Sequence, residues 1–237
     1  MKDFKMKGIA AVAAMALAAP TYAQDTVEGT IAADVVNQYI WRGQDLGDVA
    51  VQPTLGVAYK GLSLSAWGSY GLTDSDDTKE FDLTLAYSVG GFNVGITDYW
   101  FNSPNEKYFQ YEAHKTSHVF EVNVGYDFGP VAVQWYTNIG GNDGLNDSGK
   151  RAYSSYFEAS APFHLATLDW TATLGAVPYA TSFYSDAGGF AVTNIGLRAS
   201  KDVKITDSFS VPVFAGITAN PSNEKAYFVF GFTLKAL

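Results

Sequence analysis

The segment EFDLTLAYSV, Glu80 to Val89, decides the reading of this chain. Phe81, Leu83, Leu85, Tyr87 and Val89 alternate strictly with Glu80, Asp82, Thr84, Ala86 and Ser88. Successive side chains of a strand point to opposite faces, so this is a strand with one apolar and one polar face. Gly90–Gly91 follows at once and supplies a tight turn.

The same pattern extends in both directions. FEVNVGYDF sets Phe120, Val122, Val124, Tyr126 and Phe128 against Glu121, Asn123, Gly125 and Asp127. TLDWTATLGA sets Leu168, Trp170, Ala172 and Leu174 against Asp169, Thr171, Thr173 and Gly175. Connections alternate in length. Short ones fall at Lys60–Gly61, Gly90–Gly91, Gly129–Pro130, near His164 and around Ile205–Ser208. Longer polar ones fall near 43–50, 72–79, 102–117, 140–150, 178–188 and 220–225. The count predicts about twelve antiparallel strands of roughly ten residues, with short turns on one side and long loops on the other. That is the layout of an all-β transmembrane barrel, with short periplasmic turns and longer extracellular loops.

A soluble sandwich would also alternate, but its strands are shorter and its apolar faces meet each other. Here bulky aromatics cluster near strand ends: Tyr39 and Trp41, Trp67 and Tyr70, Tyr99 to Phe101 with Trp100 between, Trp135 and Tyr136, Phe183 and Tyr184. Tyr and Trp favour the membrane–water boundary, where the ring is apolar and its tip is wet. Tyr39, Trp41, Trp67, Tyr70, Trp100 and Trp135 are therefore the candidate aromatic girdle.

Composition agrees. Of 237 residues, 15% are aromatic and only 16% charged, and there is no cysteine. Disulfides and thiolate chemistry are thus excluded. Fifteen Lys and Arg stand against 24 Asp and Glu, a net charge of −9, which argues against a nucleic-acid partner. Residues 1–23 carry Lys2, Lys5 and Lys7, a short apolar run, and Thr21 and Ala23 before Gln24, the form of a cleaved secretory signal peptide. Residues 24–237 then form one domain, and the cell outer membrane of a Gram-negative bacterium is the expected location.

In NQYIWRGQDL, Asn37 to Leu46, Tyr39 and Trp41 share a face and the first strand is expected to end at Arg42–Gly43. Arg42 then leaves the hydrocarbon zone, either snorkelling to headgroups or entering the lumen. These residues carry a resemblance. Tyr39-x-Trp41-Arg42-Gly43 preceded by Asp34, then Gln52-Pro53-x-Leu55, then Trp67-Gly68-Ser69, resembles the TorF-like porin family of bacterial outer-membrane proteins over roughly residues 27 to 71. The resemblance implies a porin and little more. At the other end, KAYFVFGFTLKAL places Phe228, Phe230, Phe232 and Leu234 on one face, loosely resembling the signal read by barrel-assembly machinery, but the chain closes on Leu237 rather than Phe or Trp.

The face opposite the apolar stripe carries Lys60, Glu80, Asp82, Glu121, Asp127, Glu158, Asp169 and Arg198, which with Arg42 are the candidate pore-lining residues. Their acidic excess would favour cations, unless the cations among them pair across the lumen and close it. The histidines point to no enzyme. His114 and His118 straddle a loop-to-strand junction, where i and i+4 do not converge, and His164 lies at a short turn. The Asp- and Asn-rich stretches TDSDDTKE and GGNDGLNDSG fit no EF-hand. No catalytic residue, metal ligand or cofactor is expected. The expected function is passive diffusion of small solutes through a porin surrounded by outer-membrane lipid. The alternative is a plugged structural or surface-interaction barrel acting through its extracellular loops. A dense Arg/Glu network across the lumen would favour the plug, and a Ser, His and carboxylate cluster at one rim would favour a lipid-cleaving enzyme.

Overall fold

The structure, a computed structural model, describes residues 26–101, 107–112, 115–146, 148–207 and 209–236. The expected leader at 1–23, His114 and Leu237 lie outside the described residues. Among the described residues fourteen strands form: β1 Glu28–Val36, β2 Tyr39–Trp41, β3 Gln44–Gly47, β4 Ala50–Tyr59, β5 Leu62–Gly71, β6 Glu80–Val89, β7 Phe92–Phe101, β8 His118–Asp127, β9 Ala132–Gly141, β10 Ser155–Leu165, β11 Leu168–Val177, β12 Ala191–Lys204, β13 Ser210–Asn220 and β14 Lys225–Lys235. Twelve of them, β1 and β4 to β14, make a closed antiparallel barrel. The ring shuts where β1 pairs with β14, Ala32 opposite Lys235 and Val36 opposite Gly231. Closure leaves no unpaired strand edge, as a sheet in hydrocarbon requires.

Alternation sorts the side chains as the sequence pattern demands. Leu83, Leu85, Val94, Ile96, Val124, Phe228 and Phe230 stand exposed on the outer wall. An apolar belt of this extent suits lipid and not water. Glu80, Asp82 and Thr84 of the same β6 point inward. Toward the short turns the inward positions of β6, β7 and β8 shrink to Ala86, Ser88, Asn93, Gly95 and Gly125, with the Gln134 side chain of β9 lying over Gly125.

Two of the tight turns, β4–β5 and β6–β7, share one backbone form. Lys60 and Gly61 have φ of +50° and +85°, Gly90 and Gly91 of +55° and +87°. Two successive positive φ values make the turn whose twist matches that of the flanking strands.

One expectation fails at the first strand. β1 ends at Val36, not at Arg42–Gly43. The cause is Asn37, whose side chain takes over the ladder: Nδ2 donates to the Phe228 carbonyl at 3.0 Å, and Phe230 N–H donates to Oδ1 at 2.6 Å. The backbone is thereby released from the wall. It turns inward and pairs only with itself, β2 against β3. Arg42 and Gly43, with φ of +51° and +82°, form the tip of this hairpin, the same turn as at Lys60–Gly61.

Candidate functional site

The inward hairpin, residues 39–47, is the feature around which the lumenal polar groups gather. At its tip Arg42 Nη1 donates to Glu121 Oε2 at 2.6 Å and Nη2 donates to Oε1 at 3.1 Å. Both residues are buried, at 8% and 2% exposure. The guanidinium also lies 3.9 Å from the Tyr136 ring centroid, 4.5 Å from Trp41 and 4.7 Å from Tyr156. Arg stacks on rings and forks onto a carboxylate at once, which Lys cannot do.

Glu121 is fully committed. Besides Arg42 it accepts from Tyr99 OH at 2.9 Å and from Tyr184 OH. The same Tyr184 hydroxyl, on the loop after β11, also lies 3.0 Å from Asn138 Oδ1. On the other flank of the hairpin Tyr39 OH donates to Glu80 Oε2 at 3.0 Å, and its ring packs on Trp67 at 5.6 Å. Trp41 meets Tyr99 edge-on at 5.6 Å and Phe183 at 6.1 Å. Burial holds the phenols of Tyr39 and Tyr184 well above their ordinary range, with Glu80 and Glu121 respectively adding to it, so both remain hydrogen-bond donors. Burial works against the Arg42 charge, but Glu121, with Tyr184 and Tyr99 adding to it, more than offsets that cost.

Gly43 completes the fit. A Cβ there would lie 1.8 Å from the Thr193 carbonyl oxygen on β12, and the Gly43 carbonyl accepts from Asn220 Nδ2 of β13 at 3.0 Å. The hairpin therefore touches β5, β6, β7, β8, β9, β10, β12 and β13, while β1 and β4 carry its two ends. Such contacts run across the lumen, not along one wall.

The sequence-predicted residues divide accordingly. Arg42, Glu80, Asp82 and Glu121 come together at the hairpin. Glu158 is buried close by and accepts from Tyr156 OH at 2.8 Å. Asp127 lies at the short-turn end of β8 and caps its turn, accepting from Gly129 N–H at 2.7 Å. Asp169 pairs with His164 at 3.1 Å near the same end of the barrel. Arg198 stands away from the hairpin, its guanidinium 3.8 Å over the Phe214 ring. Lys60 occupies the β4–β5 turn rather than a lumenal position, with its ammonium 5.3 Å from the Tyr59 ring.

The aromatic set also divides. Tyr70 and Trp135 stand exposed on the outer wall, whereas Tyr39, Trp41 and Trp67 form part of the interior cluster. They are not girdle residues, because the hairpin that carries two of them has left the wall. Trp100 faces outward but is roofed by Tyr108 at 5.2 Å. Beneath the same segment lies His118, completely buried, with Nδ1 2.7 Å from Asp98 Oδ1 and Nε2 2.5 Å from the Tyr108 carbonyl oxygen. It pins residues 107–112 to the outer wall and has no nucleophile among its hydrogen-bond partners. No group of metal-binding side chains occurs among the described residues.

Sequence reading did not place Tyr99, Tyr136, Tyr156 and Tyr184 in the interior: it set Tyr99, Tyr136 and Tyr184 among the strand-end aromatics and did not name Tyr156. The first three carried a signal: each is a large aromatic on the polar face of its strand, in step with Thr97, Asn138 and Glu158. A ring at an inward position needs something inside to pack against.

No family model matches the chain, and no curated protein matches it. Among solved structures, a Salmonella typhi OmpF in complex with daunomycin is similar at 10% identity and a TM-score of 0.38, covering 89% of this chain and 97% of that one.

Proposed function

We propose that this chain is an outer-membrane barrel of porin type, related to the TorF-like porins, whose passage for small solutes is controlled by its own first outward loop. The leader at 1–23 exports it, barrel-assembly machinery inserts it, and outer-membrane lipid surrounds the apolar belt. The observation that carries the reading is the hairpin reaching opposite walls at once, Tyr39 on Glu80 and Arg42 on Glu121. With the hairpin docked the lumen is obstructed on the long-loop side. Once the hairpin moves, Glu80, Asp82, Glu121 and Glu158 line the path and favour cations by their charge. The protein acts as a channel and not as a catalyst.

The test is conductance of the refolded protein in a planar bilayer, beside Arg42→Ala. The wild type is expected to stay mostly closed and the variant to open in stable steps with a cation-selective reversal potential. Large, stable wild-type steps indistinguishable from those of the variant would defeat the reading.

A further inference from the structure

Asp82 is the one acid of the hairpin seat that nothing satisfies. It is 2% exposed, and neither carboxyl oxygen has a hydrogen-bond partner. Its cross-strand neighbours are Trp67 on β5 and Tyr99 on β7. One inward position along β6 is Glu80, also buried, which holds the hairpin through Tyr39. Two buried carboxyl groups at adjacent inward positions of one strand, in side-chain contact with each other and away from water, strongly disfavour ionising together.

The surrounding groups relieve this only in part. Arg42 is engaged by Glu121, and Tyr99 donates to Glu121 rather than to Asp82. Tyr39 donates to Glu80. Asp98 lies on the outer face of β7 with His118. Lys79 donates to the Ser75 carbonyl and its ammonium lies 5.8 Å from the Tyr70 ring. The least costly form of the docked state is therefore one in which the pair carries a proton.

Resting on the closure reading above, we infer that Glu80 and Asp82 form a proton-operated latch for the hairpin. With a proton on the pair, Tyr39 seats and the lumen is obstructed. When the proton leaves, two like charges face each other beneath the hairpin with no added partner. Displacement of the hairpin then lets water reach both. The docked state binds more protons than the released state, so raising the pH favours release.

Bilayer conductance of the refolded protein between about pH 5 and pH 9 tests this, with Asp82→Asn and Arg42→Ala measured alongside. Wild-type open probability is expected to rise with pH, by up to about tenfold per unit for one proton released. Asp82→Asn keeps the shape but removes the second charge, so it is expected to stay closed throughout. Glu80→Gln serves as the second variant, and heat-modifiable gel mobility confirms folding of each. A closed wild type that ignores pH, with Arg42→Ala conducting, overturns the latch and leaves closure standing. A full pH response in both Asp82→Asn and Glu80→Gln also overturns it. Equal conductance of wild type and Arg42→Ala at every pH overturns both.

Discussion

Arg42 and Glu121, 79 residues apart in sequence, form a two-pronged ion pair across the lumen at 2.6 and 3.1 Å. Removing one partner of such a buried pair leaves a stranded charge and costs about 3–5 kcal/mol. Glu121→Gln is therefore expected to undock the hairpin. Arg42–Gly43 is itself a tryptic site, so limited trypsin digestion with mass readout reports docking. Wild type resists at Arg42, and the variant is cut there. Continued resistance would show that the ion pair is not what holds the tip.

Gly43→Ala tests the same seat through shape instead of charge. Its backbone has φ of +82°, and the added methyl would overlap the Thr193 carbonyl. The barrel should fold with wild-type gel mobility, since β2 and β3 pair with no barrel strand. The hairpin should not dock, and conductance should match that of Arg42→Ala. A closed Gly43→Ala channel would count against the close packing of the tip on β12.

His118 holds a different segment. Replacing it with Ala removes both the Asp98 and the Tyr108 contacts. Losing them costs about 1–3 kcal/mol. Trypsin cleavage at Lys107 should accelerate by about tenfold or more, in line with that cost, while resistance at Arg42 is unchanged. Cleavage at the wild-type rate would mean that the roofing aromatics alone keep this segment in place.

Leu85 and Thr84 are consecutive on β6 and face opposite sides, lipid and lumen. Leu85→Arg near the middle of the strand is expected to cost about 2–4 kcal/mol in a bilayer. Thr84→Arg, turned toward the lumen, should cost much less. Denaturant unfolding of the two variants in liposomes gives the comparison. Equal costs would place the outer face of the barrel somewhere other than in hydrocarbon.

The sequence by itself determined the barrel, because a period of two is a local property. In β6, Phe81 to Val89 and Glu80 to Ser88 announce two faces without reference to any other segment, and paired positive-φ turns such as Lys60–Gly61 mark where strands reverse. It did not determine where Tyr39, Trp41 and Arg42 go. On a continuing strand their alternation places them at the rim, and only the tertiary contacts of Asn37 with β14 free the chain to turn inward. Glu121 and Tyr184 lie far along the chain, so no local pattern names them as partners of Arg42. The hint available was Tyr99, Tyr136 and Tyr156 on polar faces, large rings directed at a space that a plain water-filled pore would leave empty. The wall follows from alternation along each strand. What crosses the lumen follows from side chains that meet only after the ring has closed.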